Sequence, residues 1–363
     1  MKIFEGEVKF YNQYGEGVVF FKSKPIYIYG AILNEIIEYT IEKEFDTYGK
    51  GKLIKVLKRS NNRIDHNIKD ASLIGGYDLI HMNEKEQKNF KVNQVKNCFK
   101  KNSNTELHDL IWFCGSKKIK YRNKITLHDG CFYKKNSNEK IEVDDFLLSD
   151  IEWNKNLKGN VVYRKLDTLI FGNENENNKY TFDTMLGFKF RIGLNSFYQV
   201  NKEVAEYAYS RIIDDIIPNS KSLDLYCGIG VIGILLSNKS KKVIGVEINK
   251  HSFEDALFNK ELNKISNIEF FNNNVDEFVK SNKENFENVI LDPARFGVDK
   301  KTLKLIVDKI KPKRIIYMSC NPSTQAADFN HLKEKYKIDK FYVMDMFPQT
   351  YHIETLMILT KID

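Results

Sequence analysis

Cys320 stands in the run Ser319-Cys320-Asn321-Pro322, directly after the apolar stretch RIIYMS at 314–319. A thiol at a strand end, followed by residues that open a helix, is placed for nucleophilic chemistry. The helix N-terminus should lower its pKa. The bland alternative is a small buried hydrophobe, the usual fate of a free cysteine. Upstream, Gly228, Gly230 and Gly233 form GxGxxG between the run SLDLY (222–226) and a helical segment. Such glycines allow a tight turn and close backbone approach to a ligand, and an acid about 20 residues on can bind ribose hydroxyls. Glu247 supplies that acid, so a nucleoside-containing cofactor is expected; NAD(H) and S-adenosylmethionine both fit. In an open α/β sheet, ligands sit beyond the carboxyl ends of the strands. The sequence puts Asp224, Glu247, Asp292-Pro293-Ala294-Arg295 and Ser319-Cys320-Asn321-Pro322 at those ends. A dehydrogenase needs no cysteine there, whereas a thiol-assisted alkylation does.

The elements that position these groups follow from periodicity. Apolar runs at 222–226, 242–248, 288–292 and 314–319 alternate with helix-like segments at 231–238, 251–264, 300–310 and 323–335. Strands alternating with helices give a parallel sheet covered on both faces. KFYVMDMF (340–347) and HIETLMILTKI (352–362) follow one another across Pro348, which predicts an antiparallel hairpin closing the sheet. The expected class is α/β: a Rossmann-like domain over 186–363, closed in the way that class I methyltransferase folds close. Before it, residues 1–58 alternate as short β segments punctuated by Gly6, Gly15, Gly17 and Gly30, suiting a small oligonucleotide-binding-type barrel. Residues 59–185 read as a mixed, mainly β central domain. It holds an amphipathic helix from about Lys85 to Lys101, with Val92, Val95 and Phe99 on one stripe, and a polar loop at 173–179.

Of 363 residues, 42% are hydrophobic, and no stretch of about 18 apolar residues occurs, which argues against a membrane span. The N-terminus lacks a signal peptide's pattern, and five cysteines without pairing or metal spacing suit a reducing compartment. The expected location is the cytoplasm. Lys+Arg 57 against Asp+Glu 49 gives a net charge of +8. Residues 87–140 alone hold 13 Lys/Arg against 4 Asp/Glu, interleaved with Phe90, Phe99, Trp112, Tyr121 and Tyr133. A basic stretch with aromatics suggests a polyanion such as RNA; the competing reading is a solvated lysine-rich surface.

The motifs NSFYQVN (195–201), LDLYCGIG (223–230), GVEI (245–248), LDPAR (291–295), SCNPST (319–324) and DMFPQTYHIE (345–354) occur in the order of the RNA (uracil-5)-methyltransferase family, which the C-terminal half resembles. The N-terminal segment resembles, more weakly, the RNA-binding TRAM domain preceding the catalytic part of many members. The resemblance implies S-adenosylmethionine-dependent formation of 5-methyluridine in RNA. Cys320 would attack C6 of uracil, and Glu354 would be the general base, with His352 as its rival. Gln199, Tyr226, Gly228, Gly230, Glu247 and Asp292 would bind the cofactor, although Asp292 could face the uracil. Arg295 would steady the target nucleotide or form a plain salt bridge. Cys227 is read as packing, and Asp345 as a structural carboxylate. The TRAM-like segment favours 23S ribosomal RNA as partner; the T-loop uridine of transfer RNA is the alternative. A monomer is expected. Readings from other classes are an NAD(P)-dependent oxidoreductase and a catalytically inactive RNA-binding protein.

The chain departs from the family at one place. Many members hold an iron–sulfur cluster through C-x5-C-G-G-C after the barrel. Here the frame RIDHNIKDASLIGGYDLIH (63–81) keeps Gly75-Gly76, but Ile68, Ile74 and Tyr77 occupy the cysteine positions. Without thiolates no cluster, and no metal, is expected.

Overall fold

A computed structural model of the protein describes residues 2–176 and 178–362. Of the expected loop 173–179, Asn177 therefore lies outside the described residues. The chain divides into two compact units: residues 1–94, 132–143 and 347–351 in the first, and 95–131, 144–346 and 352–363 in the second. The stretch 59–185 is thus shared between them.

The second unit carries an eight-stranded sheet. In chain order its strands are β1 (Ile111–Cys114), β2 (Lys221–Leu225), β3 (Lys242–Glu247), β4 (Ile268–Asn272), β5 (Asn288–Leu291), β6 (Arg314–Ser319), β7 (Tyr336–Asp345) and β8 (Glu354–Lys361). Their order across the sheet is β4-β3-β2-β5-β6-β8-β7-β1. The pairs β4/β3, β3/β2, β2/β5 and β5/β6 are parallel, and β8 runs antiparallel to both β6 and β7. Strands buried on both faces read as continuous apolar runs. Accordingly Val289, Ile290, Leu291, Ile315, Ile316, Tyr317 and Leu356 through Leu359 are all fully buried.

The expected parallel sheet and terminal hairpin are present, but the hairpin is not the sheet's edge. Ile111–Cys114, which the sequence places in the central segment, pairs in parallel with β7 and extends the sheet by one strand. Helices Lys202–Asp215 and Val275–Ser281 and strand β4 are additions to the elements read from sequence. Helix Lys202–Asp215 has the cap a sequence can reveal, because Asn201 accepts from the Val204 amide. The expected helix 300–310 is α-helical only to Leu305 and continues as a π-helical turn, Ile306–Ile310.

The first unit contains a six-stranded sheet built from Phe4–Glu7, Phe10–Tyr11, Gly17–Phe21, Lys24–Ile28, Ile36–Glu44 and Gly49–Lys58. Val8, Val19, Ile26, Ile28, Ala31, Ile37 and Tyr39 form its core. Three register shifts between the last two strands bend the sheet around that core. Glu35, fully buried, accepts from the amides of Ile32 (3.0 Å) and Ser60 (3.1 Å) and from Arg63 Nε (2.7 Å). Within the same unit Ile74 and Tyr77 are buried and Ile68 is half-buried. The expected amphipathic helix runs from Glu84 to Ser103, and Val95 and Phe99 on its stripe are fully buried.

Of the aromatics in the basic stretch 87–140, three turn inward, while Trp112 is half-buried and Tyr133 exposed. Phe90, Phe99 and Tyr121 are core residues. Lys91 is fully buried with Nζ on the Phe347 carbonyl, while Lys100, Lys134 and Lys135 pair with Glu106, Glu139 and Asp78. Among the described residues, no helix is long and apolar enough to cross a membrane.

Candidate active site

A cleft of about 1350 Å³ opens in the second unit at the carboxyl ends of β2, β3, β5 and β6. On its nucleotide side the turn after β2 leaves ordinary backbone space: Tyr226, Gly228 and Gly230 have φ of 67°, 54° and 83°. At Gly230 a side chain is excluded twice over, because an added Cβ would lie 2.6 Å from Phe270 Cζ. At Gly233 the limit is packing, with Ile268 Cδ1 2.9 Å from such a Cβ. Glu247 ends β3, and its carboxylate accepts from the amides of Gly228 (2.9 Å) and Asn249 (2.7 Å). Each carboxylate oxygen keeps a lone pair for a hydroxyl.

The other side is built from the ends of β5, β6 and β8. Pro322–Leu332 forms the helix anticipated after Cys320. Its cap is Asn321, whose side chain accepts from the Ser323 amide (3.1 Å) and donates to the Arg295 carbonyl (2.9 Å). One residue thus starts the helix beside Cys320 and ties down the loop after β5. Thr355, next to Glu354, donates to the carbonyl of Ser319 (3.0 Å), fixing the start of β8 against the end of β6. Arg295 Nη2 lies 3.4 Å from His352 Nδ1.

Burial dominates the electrostatics. Asp292 is raised to about 7 by desolvation. Glu354 is raised well above the usual carboxyl range by desolvation and by Asp292, with Arg295 opposing. The expected lowering of the Cys320 thiol does not occur: it is raised to about 11. Desolvation is the largest cause and Glu354 adds to it, while Arg295 opposes. A helix terminus contributes only a fraction of a unit charge, too little to offset a dry site with carboxyl groups at hand. Such a cavity favours a cationic ligand, and the sulfonium of S-adenosylmethionine fits that requirement. Cys227 is buried with its thiol raised by desolvation, which fits packing.

Residues 121–362 match the family described as tRNA (uracil-5-)-methyltransferase. The chain belongs to this family. An RNA methyltransferase of Mycoplasma mobile, itself uncharacterized, is 49% identical over 99% of both chains. One from Staphylococcus aureus (strain N315), also uncharacterized, is 29% identical over 94% of both. The fold is shared with the Pyrococcus abyssi tRNA (uracil-54, C5)-methyltransferase, solved in complex with S-adenosyl-L-homocysteine. That likeness has a TM-score of 0.76 at 21% identity and covers 98% of this chain and 100% of the other. As a member of this family the protein is an RNA (uracil-5-)-methyltransferase.

In this methyltransferase the cleft brings together every residue singled out for cofactor or catalysis: Gln199, Tyr226, Gly228, Gly230, Glu247, Asp292, Cys320 and Glu354. Arg295 also lines it, whereas His352 and Asp345 are not among its walls. Sequence reasoning missed one wall residue and named another group without its environment. Tyr209, nearly buried in the wall, faces Asp292, Glu354 and Gln199; the apolar stripe Val204, Ala205, Ala208, Tyr209 and Ile212 of its helix was a signal that could have found it. Asp224 lies fully buried behind the glycine turn, its carboxylate without a hydrogen bond of normal geometry, and is raised to about 8, chiefly by desolvation. Its position at the end of β2 was legible, but its isolation from the cleft was not.

Proposed function

We propose that this protein methylates C5 of a specific RNA uridine through a covalent Cys320 adduct. The supporting observation is one cleft that joins the Glu247 ribose-type site to Cys320 and Glu354. S-adenosylmethionine, when bound, supplies an electrophilic methyl group on a sulfonium. Gln199, Tyr226, Gly228, Gly230, Glu247 and Asp292 would hold it. The Cys320 thiolate adds to C6 of uracil, and the ring electrons move onto O4 as an enolate nucleophilic at C5. C5 is then the carbon that a methyl donor held there would alkylate, the donor's S–CH3 bond breaking as the C5–CH3 bond forms. Glu354 removes the C5 proton, the C6–S bond breaks, and Cys320 leaves as thiolate. Arg295 steadies the target nucleotide.

The test uses RNA containing 5-fluorouridine, whose C5 has no proton to lose. A thiol-linked protein–RNA species should accumulate with the intact enzyme and vanish in Cys320→Ala, which should still bind S-adenosylmethionine. Methylation by the cysteine-free variant would overturn the assignment.

For substrate, the six-stranded N-terminal sheet supports a TRAM-like RNA-binding module at 1–58 and hence 23S ribosomal RNA. It would precede a central segment at 59–185 and a Rossmann-like class I domain at 186–363. The family description and the archaeal neighbour's name support transfer-RNA uridine instead. Mass mapping of both RNAs from a deletion strain decides between them: loss of 5-methyluridine from one assigns the substrate. The reading also has the enzyme act as a cytoplasmic monomer, which light scattering of the purified chain tests for the oligomeric part.

A further inference from the structure

The three most exposed large apolar side chains among the described residues are Phe296 (81%), Phe197 (70%) and Ile248 (64%). All three line the one cleft. Single exposed hydrophobes are ordinary, but a cluster confined to the mouth of a site marks a surface that a ligand covers. Phe296 is the extreme case, and its backbone is held on both sides. Arg295, before it, has its carbonyl bonded by Asn321 Nδ2 (2.9 Å) and Thr324 Oγ1 (3.2 Å). After it, the Gly297 amide closes a turn onto Ala294 (2.9 Å), and the Val298 amide donates to Asp328 (2.9 Å). Gly297 has φ of +79°, and a Cβ there would lie 2.5 Å from Asp328 Oδ2, so this turn has little room to relax. Asn321, Thr324 and Asp328 all belong to the helix that begins beside Cys320 or to its cap. An aromatic ring is therefore displayed in solvent from a backbone pinned to the nucleophile's own helix, with a guanidinium next to it.

A ring presented in this way loses little conformational freedom when it stacks. Drawing a uridine out of an RNA stack leaves the face of a neighbouring base uncovered, and flat side chains recover part of that lost stacking. We propose that Phe296 stacks on an RNA base adjoining the target uridine, which makes it a determinant of RNA affinity rather than of methyl transfer. The inference rests on the reading of the cleft as an RNA-methylation site. Its turn is bonded to the Cys320 side of the cleft and not to the Glu247 side, which assigns the ring to RNA and not to the cofactor.

The experiment compares the full-length enzyme with Phe296→Ala, Phe296→Leu and Phe296→Trp. Methyl transfer from tritiated S-adenosylmethionine is followed on unmodified transcripts of transfer RNA and of large-subunit ribosomal RNA, and calorimetry gives cofactor affinity. Phe296→Ala should raise KM for the accepted RNA about tenfold or more, the scale of one lost stack, with kcat changed far less. Cofactor affinity should stay unchanged, Phe296→Trp should restore KM, and Phe296→Leu should not. Wild-type KM in the alanine variant, full rescue by leucine, or a loss centred on cofactor binding would each overturn the stack while leaving the methylation reading intact. A wild-type enzyme that methylates neither RNA would remove the reading and the inference together.

Discussion

In the roles proposed for them, Cys320 as nucleophile and Glu354 as base both begin on the wrong side of their working protonation states. The thiol sits at about 11, and the Glu354 carboxyl is raised well above its usual range. Attack needs thiolate, and proton removal from C5 needs carboxylate, so both steps gain as pH rises. We expect kcat/KM to climb through neutral pH into the alkaline range, with no plateau reached from an ordinary carboxyl near 4.5. A profile flat from pH 6 to 9 would contradict that assignment. Glu354→Gln keeps the shape and removes the base, so resolution should slow by about 10²–10⁴-fold and adduct should accumulate on ordinary RNA. Gel shift under denaturing conditions reads this directly, and normal turnover in the variant would pass the role to another group.

At the scale of elements, the joint between Asn321 and Arg295 matters most. Asn321 caps the helix through its Oδ1 and holds the loop after β5 through its Nδ2. Asn321→Ala should cost about 1 kcal/mol of stability as a lost cap. Asn321→Asp keeps the cap acceptor but not the donor. It should retain most of the stability yet weaken RNA affinity, because the Arg295–Phe296 turn loses one of the bonds that fasten it. Denaturant melts combined with RNA titration separate the two effects. Across the cleft, Gly230→Ala meets both a left-handed φ and the Phe270 ring. Loss of cofactor binding in calorimetry is the expected outcome, with stability lowered by about 1–3 kcal/mol.

For the whole molecule, pH-dependent stability is set partly by Asp224. Its folded value of about 8 exceeds the ordinary 3.8, so between these pH values the folded state holds a proton the unfolded chain has lost. This contribution is complete below about 4 and disappears as pH rises through about 8; its full span is on the order of several kcal/mol. Asp224→Asn should therefore flatten the fall in melting temperature between pH 5 and 9, and parallel wild-type and variant profiles would refute the assignment. In the first unit, we propose that buried Ile74 and Tyr77, with half-buried Ile68, take over the stapling of a segment that thiolates and iron hold in other members. Metal analysis of freshly purified protein should find no stoichiometric iron.

The sequence by itself determined the chemistry-bearing motifs and the alternation of strands and helices, because glycine turns, strand-end carboxylates and apolar periodicity are local signals. It also showed the six motifs in family order, and with them the residues that line one cleft. It did not place the strand Ile111–Cys114 at the edge of this sheet, since four residues take their place only from the neighbour they pair with. Nor could it give the direction of the Cys320 shift. A helix start is visible in Asn321-Pro322, but the desolvation and the nearby carboxyl groups that outweigh it come from strands far apart in the chain. The charge pattern of 87–140 left its reading open for the same reason: whether a lysine or an aromatic ring faces solvent is decided by tertiary packing, and here packing sends Lys91, Phe90 and Phe99 inward and leaves Tyr133 exposed.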